Sequence, residues 1–175
     1  SSTFELFGQK FLMPDGRSYR KLQSSVGTGF FGDEQMNWLI QNMNGTGKPI
    51  FLASGSQFFG GNIPKGETAE VQAPAEFDWL NRELAKLNRP ITFASGDVHF
   101  SEVMRIERQH FNFDAFELTS SSLHSLLGKS LPTNGRRVAG ALGNNFTFVT
   151  FNQGLAASAT SVGLSDINYS DNILI

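Results

Sequence analysis

Two segments of this chain share one pattern, and the pair limits the fold more than any other feature. Lys48-Pro49-Ile50-Phe51-Leu52-Ala53-Ser54-Gly55-Ser56-Gln57 runs parallel in pattern to Arg89-Pro90-Ile91-Thr92-Phe93-Ala94-Ser95-Gly96-Asp97. Each has a basic residue and Pro, then a short apolar run, then Ser-Gly. Such a run reads as a buried strand, and Ser-Gly as the turn that stops it. Between the two, Phe77, Leu80, Leu84 and Leu87 recur at helical spacing, with Pro74 near the start and Asn88-Arg89-Pro90 closing the run. Strand, helix and strand in this order form a β-α-β unit, whose right-handed crossover makes the strands parallel and brings both Ser-Gly ends to one edge of the sheet. Ligands of α/β folds bind at that edge. The pattern therefore predicts Gln57 near Asp97 and His99.

Asp97 and His99 are a carboxylate and an imidazole presented directly after a strand, groups suited to metal binding or proton transfer. Two plainer readings compete with this. A histidine near a strand end is often a hydrogen-bonded structural residue, and Asp after Gly is ordinary turn chemistry.

The remaining segments read by the same rules. Phe4 to Met13 predicts two short strands or a hairpin, ended by the turn signal Pro14-Asp15-Gly16. Arg17-Ser18-Tyr19-Arg20 follows, either an anion-binding pair of guanidinium groups or a solvated basic loop. A helix starting at Gly32 or Asp33 would set Met36, Leu39, Ile40 and Met43 on one face and stop at Asn44-Gly45. Phe58 to Pro74 contains Gly60, Gly61, Pro64 and Gly66 and predicts an exposed loop of the lid or binding kind. Beyond Glu102, strands are expected at Val103 to Glu107, Phe113 to Leu118, Asn145 to Phe151 and Ala156 to Val162, in an antiparallel section. Gly128 to Gly143 reads as a mobile connection, and His124 as a surface histidine.

Composition excludes several classes. A formal charge of -2 without a Lys/Arg run offers no nucleic-acid face. No apolar run approaches the ~20 residues of a spanning helix. The absence of cysteine removes disulfides, thiolate metal sites and cysteine nucleophiles, and leaves the redox compartment open. At 175 residues, 39% hydrophobic and 17% charged, the chain suits one domain with a substantial core. No signal peptide is evident and Phe4 already reads as strand, so a mature or cut-down product is expected.

Four stretches together resemble the PhoD-type alkaline phosphatases, a group within the calcineurin-like metallophosphoesterases. They are Asp15-Gly16-Arg17-Ser18-Tyr19-Arg20, Phe31-Gly32-Asp33-Glu34-Gln35 with Trp38-Leu39, Ser54-Gly55-Ser56-Gln57, and Ser95-Gly96-Asp97-Val98-His99-Phe100-Ser101-Glu102. The resemblance spans about Phe4 to Ser122, and Gly-Asp-Val-His-Phe-Ser-Glu is its most specific part. It implies an α/β fold with α+β character at the C-terminal end, a two-sheet sandwich flanked by helices, and hydrolysis of phosphate esters at a two-metal site. By resemblance the metals are iron and calcium and the enzyme is periplasmic or extracellular. His99 stands at the second histidine of the wider Gly-His-x-His motif and so resembles a metal ligand. Asp97 replaces the first histidine and either binds metal or orients His99, which makes both residues catalytic candidates. Gln57 stands where other calcineurin-like enzymes carry a histidine ligand, and a carboxamide oxygen suits a hard ion. Arg17 and Gln57 are the substrate-binding candidates.

The Asp-x-His, Gly-Asp and Gly-Asn-His motifs of that family precede its Asp-x-Arg-Ser element, which begins here at Asp15. The chain is therefore expected to be the C-terminal half of such an enzyme, needing an N-terminal half to bridge two ions. The alternative is a non-catalytic binding or structural domain on the same fold.

Overall fold

The structure is a computed structural model; it describes residues 1–24, 27–60, 68–121, 130–152, 155–163 and 170–174. The chain opens with the hairpin of β1 (Ser2–Leu6) and β2 (Gln9–Met13), paired from Ser2 with Met13 to Leu6 with Gln9. Phe7 and Gly8 close it with φ of 51° and 75°, the positive pair that a two-residue hairpin turn of this twist demands. The pair β3 (Lys21–Ser24) and β4 (Gly27–Gly29) follows, then α1 (Asp33–Asn44) and β5 (Ile50–Ala53). Next come α2 (Ala69–Gln72), α3 (Pro74–Leu87) and β6 (Ile91–Ser95). Strands β7 (Ser101–Ile106), β8 (Ala115–Thr119), β9 (Arg137–Ala141), β10 (Asn145–Asn152), β11 (Leu155–Gly163) and β12 (Ser170–Leu174) complete the chain.

A seven-stranded mixed sheet in the order β1-β2-β5-β6-β8-β7-β9 is the centre of the fold. Strands β2, β5, β6 and β8 are mutually parallel neighbours, while β7 runs antiparallel to β8 and β9. The parallel β5–β6 pair expected from the two Pro-led segments is present, Ile50 opposite Ile91 and Ala53 opposite Ala94. Strand alternation then sorts the side chains. Leu12, Ile50, Leu52, Ile91, Phe93, Met104 and Ile106 join one core with Met36, Leu39 and Met43 of α1 and Phe77, Leu80 and Leu84 of α3. On the other face Val103, Phe116 and Leu118 pack with Ala159 and Val149 of the small β10-β11-β12 sheet. Phe151 joins that side, its ring 5.9 Å from Phe11 and 5.8 Å from Phe51.

Both long helices start and stop as the sequence reading expects. The first turn of α1 carries Asp33 and Glu34, which suit its positive end, and Gly32 precedes it at φ 80°. Pro74 sits in the first turn of α3, and Asn88 ends it in the left-handed region at φ 48°.

Two expectations are corrected. Of the segment Phe58 to Pro74, expected as an exposed loop, residues 61–67 lie outside the described residues; of the rest, Phe58 and Phe59 are fully buried and Ala69–Gln72 forms a short helix capped by Thr68. Its glycines and prolines read as loop, whereas two adjacent phenylalanines here insert among Phe31, Phe77, Phe93 and Phe111. Within Gly128 to Gly143, residues Arg137–Ala141 form β9, on the edge of the large sheet. Gly140 hid that strand, yet it serves close packing, since a Cβ there would lie 2.8 Å from Leu131. The strands after Glu102 pair with one another antiparallel, as expected, and β8 also joins the parallel run beside β6. His124 lies outside the described residues.

Candidate functional site

Because β2, β5, β6 and β8 are parallel, the segments after Met13, Ala53, Ser95 and Thr119 leave the sheet at one edge. The first is held from within. The Asp15 carboxylate accepts the backbone N–H groups of Arg17 and Ser18, each at 2.9 Å, and Gln35 bonds both the N–H and the carbonyl of Asp15. Hydrogen bonds from the Ser18 side chain and from these amides hold Asp15 down to a pKa of about 2. Arg17 is thereby aimed across the edge, and its guanidinium donates to Asp97 at 2.9 Å, eighty positions away in the chain. Arg20 turns elsewhere, over the Phe30 ring and toward Gln72.

The segment after β6 adopts an uncommon backbone. Asp97 and His99 have φ of 67° and 62°, the left-handed region that Asp and His tolerate better than most residues. Ser121 Oγ accepts the N–H groups of Val98 at 3.0 Å and His99 at 3.3 Å, tying this turn to the end of β8. A Cβ on Gly96 would stand 3.6 Å from the carbonyl oxygens of both Gly55 and Ser120, so three strand ends meet there. Phe100 is buried beneath, while Asp97 and His99 are exposed. Backbone held in a sparsely populated region by its surroundings is a feature of ligand sites.

Gln57 takes another course. It is 1% exposed, and its amide nitrogen donates to Glu102 at 2.8 Å and to Thr119 at 3.0 Å. Glu102 also accepts Arg137 Nε at 2.7 Å and Asn134 Nδ2 at 3.1 Å. Thr119 Oγ1 lies 2.9 Å from Ser95 Oγ. Glu117 has no exposed surface, and its two oxygens accept the N–H groups of Phe58 and Phe59, each at 2.8 Å. Burial pushes the Glu117 carboxyl up to about 7, against the downward pull of these hydrogen bonds. Among the described residues Gln57 Oε1 and Arg137 Nη2 are buried without partners.

The sequence-selected residues thus form two groups. Arg17, Asp97 and His99 share an exposed rim, and Gln57 belongs to a buried polar chain. Glu117, Thr119, Ser95, Arg137 and Asn134 were missed as members of that chain, and Glu102 was noticed only as the end of a motif. The usable signal was a carboxylate inside the apolar run Ala115-Phe116-Glu117-Leu118-Thr119, since glutamate is rarely buried unpaired.

The metal pair that the resemblance implies needs more donors than this edge offers. Asp97 already faces a guanidinium, and no group of three or more His, Asp or Glu side chains is gathered for a metal among the described residues. With His99 and the Gln57 oxygen as the other candidates, these residues do not fit a two-metal centre by themselves.

No protein-family model matches the chain, and no curated protein matches it. Solved structures do. The chain is similar to a structure of PhoD at TM-score 0.68 and 14% identity, covering 98% of this chain and 43% of that one. It is also similar to GAP50, described as the anchor in the inner membrane complex of Plasmodium, at TM-score 0.64 and 16% identity, covering 99% of this chain and 53% of that one. The chain therefore spans about half or less of these proteins, and over that span its fold is similar to that of PhoD.

Proposed function

We propose that this chain is the C-terminal part of a phosphate-ester hydrolase. The observation that carries the reading is the rim: a guanidinium, a carboxylate and an imidazole from two strand ends, on a fold similar to PhoD. Arg17 would bind a phosphate oxygen, since a guanidinium fork suits that geometry, and the approach of a phosphate would compete with Asp97 for it. His99 would serve as a metal ligand or proton carrier, with Asp97 beside it. An iron–calcium pair, as in the PhoD-type enzymes, would take most of its ligands from an N-terminal half outside these 175 residues. Export to the periplasm or cell exterior is part of the same proposal.

The experiment is hydrolysis of p-nitrophenyl phosphate and bis(p-nitrophenyl) phosphate by the protein together with the N-terminal half, with metal content measured alongside. Loss of activity and metal in His99→Ala supports the reading. Full activity and full metal content in that variant overturns it.

Two observations favour a second reading, a non-catalytic structural domain. Asp97 is already neutralised by Arg17, and one solved structure with this fold is described as an anchor. Absence of both metal and hydrolysis in the assembled protein would select it.

A further inference from the structure

Resting on the functional reading above, we propose that Gln35 of α1 is a positioning residue for Arg17. It clamps the backbone of Asp15, so that the turn carrying Arg17 stays at the strand-end edge when an anionic ligand draws the guanidinium away from Asp97.

The clamp is a carboxamide that meets both main-chain groups of one residue. Gln35 Oε1 accepts the Asp15 N–H at 2.7 Å, and Gln35 Nε2 donates to the Asp15 carbonyl at 2.9 Å. A backbone N–H only donates and a carbonyl only accepts, so the main chain fixes which end of the carboxamide faces which. Gln35 is 4% exposed, and its amide nitrogen also reaches the Phe31 carbonyl at 3.3 Å. The main chain leading into α1 is itself supported from α3. Glu76 accepts the N–H groups of Phe30 at 3.0 Å, Phe31 at 2.6 Å and Gly32 at 3.0 Å. Gly16 lies close against this segment, since a Cβ on it would stand 3.1 Å from the Phe30 ring and 3.4 Å from Ser54 Oγ.

From Asp15 the hold passes to the next two residues, because its carboxylate accepts the N–H groups of Arg17 and Ser18. The Arg17 side chain has a single hydrogen-bond partner among the described residues, Asp97, in an exposed pair that water screens. A phosphate that takes the guanidinium removes that partner. The place of Arg17 then rests on its backbone, held by Asp15, and Asp15 is held by Gln35. A turn already ordered loses little freedom on binding, whereas a loose one must be ordered at the expense of affinity. Removing the clamp should therefore weaken binding more than turnover.

The first test is nuclear magnetic resonance of the isotope-labelled 175-residue chain carrying Gln35→Met, which keeps the side-chain length and loses both hydrogen bonds to Asp15. In the wild type the Arg17 and Ser18 amides should have order parameters near ~0.85, and in Gln35→Met these should fall below about 0.6. The Asp15 amide should exchange about tenfold faster or more, the scale of the hydrogen bonds lost, while β5 and β6 keep their protection. Unchanged values at Asp15, Arg17 and Ser18, or an equal loss in β5 and β6, overturn the proposal. The second test is hydrolysis of p-nitrophenyl phosphate by the protein together with the N-terminal half. Gln35→Met should raise KM about tenfold and change kcat less than about threefold. Added to Arg17→Ala it should raise KM no further, because a residue that acts through Arg17 then has nothing to act on. An equal rise with and without Arg17 makes Gln35 a general support of the fold and overturns the proposal. Should Gln35→Met fail to fold, Gln35→Glu decides by the same measurements at pH 8, where a carboxylate still accepts the Asp15 N–H but cannot donate to its carbonyl. The same pattern at smaller size supports the clamp, and unaltered Arg17 and Ser18 amides overturn it. Absence of phosphate-ester hydrolysis in the wild type would sink the functional reading, and the order parameters would then decide the positioning of Arg17 alone.

Discussion

The rim of Arg17, Asp97 and His99, after β2 and β6, and the buried chain from Gln57 to Glu117, after β5 and in β8, lie at one edge of the sheet, yet different physics holds each. The rim is exposed, and its ion pair joins side chains that are 71% and 39% accessible, where water screens the attraction and a pair is worth at most about 1 kcal/mol. Its geometry comes from the backbone instead, through the Asp15 carboxylate, the left-handed turns at Asp97 and His99, and Ser121. In the buried chain the side chains themselves are the structure, because an unmet donor or acceptor there keeps its full desolvation penalty. The rim is therefore free to exchange partners, and the buried chain is not. A surface that must admit a ligand is cheap to disturb; the scaffold under it is costly to disturb.

The largest effect should come from breaking the buried side. Glu102→Ala leaves Arg137, Asn134 and Gln57 without their shared acceptor, and the loss of one partner of a buried ion pair costs about 3–5 kcal/mol. Urea denaturation of the variant measures this. A loss under 1 kcal/mol would place the network in the same class as the rim.

Next is the pH dependence set by Glu117. Its folded pKa, about 7, lies above the ordinary carboxyl value of 4.5, so the stability it contributes is complete below pH 4.5 and lost as the pH rises through 7. The shift corresponds to a loss on the order of 3 kcal/mol between these limits. Glu117→Gln should flatten that slope, and denaturation midpoints at pH 5, 6, 7 and 8 would reveal it. Equal slopes in the two proteins would return Glu117 to the behaviour of an exposed carboxylate.

On the rim the order of effects should reverse. His99→Ala and Asp97→Asn are expected to change stability by less than about 1 kcal/mol, the range of substitutions at exposed sites, while lowering the proposed hydrolysis about tenfold or more. Calorimetry and turnover on the same samples would sharpen the contrast, and a large loss of stability with intact turnover would erase it. Smallest of all, Arg17→Ala should cost under about 1 kcal/mol of stability, and raising the salt concentration should shrink even that. In kinetics it should raise KM without emptying a metal site. A Tm shift that persists in high salt would mean that Arg17 holds the fold.

How far the sequence could be read follows the same division. The parallel β5–β6 pair, both long helices and the opening hairpin were visible because each is decided within a few residues, by periodicity, Pro, Gly and Asn. Asp97 and His99 stood out for the same local reason, a strand ended by Gly and followed at once by polar groups. Phe58 and Phe59 were misjudged because their burial depends on rings from α3, β6 and the turn at Phe111.

The sequence by itself determined where strands and helices start and stop, and which polar residues follow the strand ends, since steric limits on φ and the side-chain period act between neighbours in the chain. Only the tertiary structure decided that Arg17 meets Asp97 and that Gln57 turns inward to Glu102 and Thr119. Those partners lie 80, 45 and 62 positions apart, and the sheet order, not the chain order, brings them within hydrogen-bond reach.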